Sequence, residues 1–144
     1  MPERCIDASV AVKWVLRGEA WRKKARKFLR DSIETDFIFI APPLYEYETE
    51  SVLQQRLHSG ALTVTEVDTA LAQLDTIGVQ IVTHAIMVRR AREIARQFNQ
   101  PKIYDSLYAA LAELRGCEFW TADKAFYSIV MTTLPFVRYL PDYR

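Results

Sequence analysis

ERCIDASVAVKW, residues 3–14, runs from a short apolar stretch onto an acid, Asp7, and then directly into a helical pattern. The same grammar returns twice. FIFIA at 37–41 leads into PPLYEYETESVL, and CEFWT at 117–121 leads into ADKAF. Short runs rich in β-branched and aromatic residues, alternating with longer helical patterns, mark βαβ units around a parallel sheet. Two further runs, VQIVT at 79–83 and FVRY at 136–139, bring the set to five. We therefore expect an α/β fold in three layers, α/β/α, around a central, mainly parallel five-stranded sheet.

Several helix boundaries are written in the chain. In LTVTEVDTALAQLDTIG, Thr63 is followed three residues later by Glu66, a capping-box spacing, and Gly78 stands where a helix C′ residue belongs. Pro42 and Pro43 suit the start of the helix after the second strand, and HSGAL breaks that helix from the next. At 144 residues, half of them apolar, the chain has the size of one domain, 1–144, able to bury a core without staples. The balance of 19 Lys and Arg against 18 Asp and Glu gives a net charge of +1, so a polyanionic partner has to be met by a local basic patch.

Cys5 and Cys117 lie beside predicted strands without metal-site spacing, which fits buried thiols in a reducing, cytoplasmic setting. No stretch approaches a membrane span, and the opening MPERCIDAS lacks the apolar core of a signal peptide. Only four glycines are present, and the turn DASVAVKW after the first strand has none, which excludes a P-loop or a dinucleotide fingerprint.

The chemistry-bearing residues are acids. In open α/β sheets ligands bind beyond the carboxyl ends of the strands, so Asp7, Asp105 and Asp123, each at or near a helix start, are expected to converge there. Each also suits a helix N-terminus, by capping or by the dipole. Ser9 can cap in place of Asp7 or hold its carboxylate by a hydrogen bond, and Thr121 can serve a neighbouring carboxylate in the same way. In the second helix, Glu48 is stacked between Leu44 and Val52, whereas Glu46 and Glu50 point elsewhere. An acid inside an apolar stripe is costly unless it is ion-paired or bound to metal. Leu53 and Leu57 give the opposite side apolar character that a partner chain can cover. Carboxylates without paired cations suit a hard ion such as Mg²⁺.

Together, CIDASVAVKW, APPLYEYETESVL, IYDSLYAALAE and FWTADKAF resemble the ordered motifs of the PIN-domain ribonucleases, most closely the VapC toxins of type II toxin–antitoxin pairs. The resemblance runs from about residue 4 to 140. It implies that Asp7, Glu48, Asp105 and Asp123 hold Mg²⁺ or Mn²⁺ and support hydrolysis of RNA phosphodiesters, with Ser9 and Thr121 in supporting positions. It also implies a homodimer and a cognate antitoxin whose tail lies among the first helices, with Trp14, Trp21 and Phe28 as apolar contacts. The chain departs from the family pattern after Glu48, where Thr49 and Glu50 replace small and apolar residues.

Basic residues lie on two helices, EAWRKKARKFLR and the segment holding Arg89, Arg90, Arg92 and Arg96, each readable as a solvated face or as a phosphate-binding one. Arg89 and Arg92 share a face; Lys13, Trp14 and Lys124 adjoin the acidic motifs and are nearer candidates for RNA contact. His58 and His84 read as surface or capping residues. An aspartyl-phosphate hydrolase wants a second Asp where this chain has Ser9, and a receiver-like domain wants an acidic pair at the first strand end. The remaining alternative is a non-catalytic PIN-like module that binds RNA or protein.

Overall fold

The structure is a computed structural model describing Met1–Arg144. The chain runs β1 (Glu3–Ile6), α1 (Ala8–Val15), α2 (Arg22–Glu34), β2 (Ile38–Ala41), α3 (Leu44–His58), α4 (Val64–Ile77), β3 (Gln80–Ile81), α5 (Met87–Gln97), α6 (Tyr104–Arg115), β4 (Glu118–Thr121), α7 (Lys124–Val130) and β5 (Val137–Tyr139), and closes with a 3₁₀ turn at Leu140–Asp142. The five strands form one sheet in the order β3-β2-β1-β4-β5. Every pairing is parallel. The expected three-layer α/β architecture is therefore present, with a sheet that is wholly rather than mainly parallel.

Strand periodicity sends alternate residues to opposite layers. Cys5, Ile40 and Phe119 lie in one register row. On that side Tyr108 of α6 stacks on Phe119 at 5.4 Å between ring centroids. The opposite side carries Phe39 and Trp120, packed by Trp14 of α1 and Phe28 of α2 at 5.0 to 5.9 Å. Tilted aromatic pairs at this spacing add about 0.5–1.5 kcal/mol each beyond the area they bury. They hold α1 and α2 against that face of the sheet.

The capping box between Thr63 and Glu66 forms in both directions, and Gly78 takes a left-handed φ of 78° at the end of α4. Pro42 and Pro43 precede α3, and their carbonyls accept the amides of Tyr45 and Glu46. The run at 79–83 shrinks to a two-residue exposed edge strand, because only Ile40 and Ala41 of β2 pair with it. Leu53 needs no partner chain. It is fully buried in a second cluster with Val12, Leu16, Val67 and Ala70, and Leu57 packs at the edge of that cluster. Cys5 is buried, Cys117 is half-buried, and both are free.

The topology positions the site. The chain leaves β1 toward β2 on one side and returns to β4 on the other, so the connections diverge between β1 and β4. A crevice opens at such a switch point, beyond the carboxyl ends of the strands. Asp7 directly follows β1, and Asp123 lies two residues beyond β4.

Candidate active site

Asp7 caps α1, with extended backbone and its Oδ1 accepting the Val10 amide at 3.3 Å. The Ser9 hydroxyl donates to the same oxygen at 2.5 Å, and the Thr121 hydroxyl donates to Oδ2 at 2.6 Å. Both hydroxyls also accept. Ser9 takes the amide of Ala122 at 2.9 Å, and Thr121 takes that of Asp123 at 3.0 Å. The turns after β1 and β4 are thus laced together around one carboxylate, fixing where its oxygens point. Asp123 in turn caps α7 through the Phe126 amide at 3.2 Å.

Asp7 is only 5 % exposed. Burial pushes its carboxyl up to about 7, against the hydrogen bonds from Ser9 and Thr121, with Asp105 and Glu48 adding like-charge repulsion. Asp105, in the first turn of α6, is raised to about 6 by burial and then by the charges of Asp123 and Glu48. Burial likewise raises Glu48, opposed by a hydrogen bond from Tyr108 and reinforced by Asp123. Asp7 is raised by Asp105 and Glu48, Asp105 by Asp123 and Glu48, and Glu48 by Asp123, so the carboxylates lie within electrostatic reach of one another. No salt bridge of the chain touches any of them.

Glu48 arrives there by a different route from the stripe expected of it. The buried line of α3 is Tyr45, Thr49 and Leu53, one position round from Leu44, Glu48 and Val52, which are half-buried on its flank. Thr49 can be buried because its hydroxyl donates to the carbonyls of Tyr45 and Glu46. The Tyr108 hydroxyl donates to Glu48 Oε1. Sequence reasoning missed Tyr108, although a residue three positions after Asp105 shares its helix face. Two more buried hydroxyls, Tyr45 and Ser106, have no partner.

Other candidates fall differently. Lys13 is 9 % exposed, with its ammonium 3.9 Å from Glu19, so it is shielded from any RNA. Trp14 is buried, and its indole N–H donates to the Ala25 carbonyl at 3.0 Å. It cannot stack on a base. Neither Trp14 nor Phe28 offers a surface to a partner's tail; only Trp21 of the expected trio is exposed. Lys124, Arg89 and Arg92 are exposed, with Arg89 4.0 Å from Glu93. His84 accepts the Ile86 amide ahead of α5, and His58 is exposed at the end of α3.

The donor set suits a divalent cation in type and charge: four oxygen-bearing acids, crowded and without a counter-cation. As they stand, no three His, Cys, Asp or Glu side chains are drawn together tightly enough to hold an ion. Mg²⁺ usually keeps several waters and binds through only one or two carboxylates, so a closed cage is not required.

A PIN-domain family model matches residues 4–130. The chain belongs to the PIN-domain family. Its membership carries a nuclease-type, hydrolytic function. Among solved structures this PIN domain is similar to PAE2754 from Pyrobaculum aerophilum, at a TM-score of 0.68 and 15 % identity, over 97 % of this chain and 92 % of that one. That likeness bears on the fold alone. A comparison with curated protein sequences gives no match. No helix of the PIN domain is long and apolar enough to cross a membrane.

Proposed function

We propose that this PIN domain is a Mg²⁺- or Mn²⁺-dependent endoribonuclease and the toxin of a toxin–antitoxin pair, acting in the cytoplasm as a homodimer restrained by its antitoxin. The observation that carries the reading is the set of four acids near the carboxyl ends of the strands, three of them raised by burial and by neighbouring carboxylates, that no salt bridge of the chain neutralises. A non-catalytic module has no use for that arrangement. The toxin role, antitoxin and dimer rest on motif resemblance to the VapC toxins.

When bound, a divalent ion relieves the charge that builds on a phosphodiester and makes water a competent nucleophile near neutral pH. Asp7 and Asp105 are the principal residues to hold it, with Glu48 and Asp123 binding directly or through water. Ser9 and Thr121 keep the Asp7 oxygens turned into the crevice, and Tyr108 does the same for Glu48. Hydrolysis adds the oxygen of water to phosphorus and breaks a phosphorus–oxygen bond of the RNA backbone. The departing oxygen takes up a proton.

The test is incubation of purified, antitoxin-free protein with a panel of cellular RNAs, with and without Mg²⁺ or Mn²⁺, beside identically prepared Asp7→Asn protein. Cleavage at defined sites, dependent on metal and absent from the variant, is expected. Equal cleavage by the folded variant would show that the crevice is not the active site, and a contaminating nuclease would be suspected first. RNA binding without cleavage under every metal condition would favour the non-catalytic module.

A further inference from the structure

Helix α2 carries a concentration of charge that the crevice does not explain. Between Glu19 and Asp31 there is no acid, yet Arg22, Lys23, Lys24, Arg26, Lys27 and Arg30 all fall there. Lys23, Lys27 and Arg30 follow one another at four and three residues, one stripe ~10 Å long on the helix surface. Lys23 and Arg30 take part in no salt bridge of the chain, and Lys27 meets only Asp31, at 2.6 Å. Two of the four arginines of α5 are different. Arg89 lies near Glu93, and Arg90 binds Glu113 and Glu93, so acids are interleaved with its cations.

At the head of the stripe stands Trp21. The residue is 53 % exposed, and its backbone takes a left-handed φ of 63°. That conformation costs a non-glycine residue roughly 1–2 kcal/mol. A large ring held in strained backbone, yet unburied, contributes little to the core, and such outliers cluster at functional surfaces. The ring lies 5.7 Å from the Lys24 ammonium. Together Trp21, Lys23, Lys24, Lys27 and Arg30 line a shallow depression of about 370 Å³.

The depression is tied to the rim that bears the acids. Lys24 donates to the Pro141 carbonyl at 2.6 Å. Pro141 lies two residues beyond Tyr139, the β5 residue paired with Thr121, whose hydroxyl holds Asp7. Two strand spacings, ~10 Å, separate β1 from β5. The first turn of α2 is thereby tied to the segment that follows the carboxyl end of β5.

We propose that this face of α2 is a binding surface for single-stranded RNA, with phosphates lying along Lys23, Lys27 and Arg30 and one base stacked on Trp21. The choice of RNA rests on the endoribonuclease reading. A cationic track beside an exposed aromatic is the combination that single strands use, because the backbone needs the charge and every base offers a π-face. A peptide tail could use the lysines and cover the indole as an apolar contact, but it does not pair a repeating charge with a stackable ring at every unit, as a single strand does.

The experiment measures binding of a short fluorescein-labelled oligouridylate by anisotropy, in EDTA, over a range of salt. Wild type is compared with Trp21→Ala, Trp21→Phe and the triple variant Lys23→Gln/Lys27→Gln/Arg30→Gln. All the substituted side chains are exposed, and circular dichroism checks the fold. Neutralising three phosphate contacts should flatten the slope of log affinity against log salt by about 2. Trp21→Ala should weaken binding about tenfold with the slope unchanged, and Trp21→Phe should restore most of it. A triple variant that binds like wild type at every salt concentration overturns the proposal while leaving the cleavage reading intact. A wild type that binds in this pattern but cleaves no RNA with Mn²⁺ removes the nuclease reading and leaves the surface standing. Displacement of the RNA by oligoglutamate at equal charge, with Trp21→Ala silent, assigns the surface to an acidic protein segment and overturns the choice of RNA.

Discussion

Asp7→Asn should make the metal-free protein more stable above neutral pH, although it removes the best-ordered acid of the crevice. Moving the Asp7 carboxyl from 3.8 in the unfolded chain to about 7 in the folded one corresponds to about 4 kcal/mol, at 1.36 kcal/mol for each pKa step. The sign follows from proton uptake. Between about pH 4 and pH 7 the folded chain keeps a proton that the unfolded chain has released, so stability falls across that window, and the full cost is present above it. Asparagine removes the charge. Its Oδ1 keeps the bonds from Ser9 and Val10, but its amide must face Thr121 Oγ1, which now donates to Asp7 Oδ2. Losing that acceptor for the threonine hydroxyl costs about 1 kcal/mol. The net gain at pH 8 is about 2–3 kcal/mol, or roughly 6–10 °C in melting temperature. Urea unfolding followed by circular dichroism in EDTA, at pH 8 and again at pH 5, reads it directly. At pH 5 the folded carboxyl is protonated but the unfolded one is largely ionised, so about 1.7 kcal/mol of the cost remains and the variant's advantage should shrink to under about 1 kcal/mol. A variant less stable than wild type at pH 8, or equally stabilised at both pH values, would refute the buried-charge account.

Mg²⁺ or Mn²⁺ should raise the wild-type melting temperature by mass action, by about 2.7 kcal/mol of stability at a hundredfold excess over Kd; an unchanged melting temperature at millimolar metal would contradict a site ready to bind. Tyr108→Phe removes the hydroxyl that holds Glu48 in its charged form, so kcat should fall about tenfold, more steeply at low pH than at high. A pH profile parallel to that of wild type would leave Tyr108 as packing alone. Reversing Arg89 and Arg92 together should weaken RNA binding in a salt-dependent way, and less than neutralising the α2 stripe does, since Glu93 already faces Arg89. Titrations of both variants with labelled RNA compare them directly, and metal-dependent stabilisation should survive in each.

Much of this was legible in the chain because local and global signals agree at the helix ends. Thr63, Glu66 and Gly78 specify α4 before any tertiary contact is considered, and the apolar runs that end on Asp7 and precede Asp123 locate the rim of a parallel sheet. What was misread involves side chains with two characters. Thr49 looks polar but is buried by bonding its own helix, which rotated the expected face of α3 by one position. Lys13 looks like a surface cation, yet it lies along the core with only its ammonium directed at Glu19. Tyr108 drew no reading at all: its ring is core, while the hydroxyl at its far end reaches an acid sixty residues away in sequence. Pairings of that separation leave no periodicity to detect.

The crevice also bears on the choice between a nuclease and a binding module. A domain of this size has a net stability of only about 5–15 kcal/mol. Keeping Asp7 charged in the core above neutral pH forfeits about 4 kcal/mol of that, and Asp105 and Glu48 add further repulsion. Neutral substitutions relieve this cost without disturbing the fold, so a protein that merely bound RNA through its basic faces would be better served by them. Ser9 and Thr121 do the reverse: they stabilise the charged form of Asp7 rather than its neutral form. A carboxylate destabilised by burial, yet given two hydroxyl donors that favour its charged form, is what the proposed metal-dependent reading expects. The Asp7→Asn experiment separates the alternatives on this ground, because the substitution should improve the fold and abolish cleavage in the same molecule.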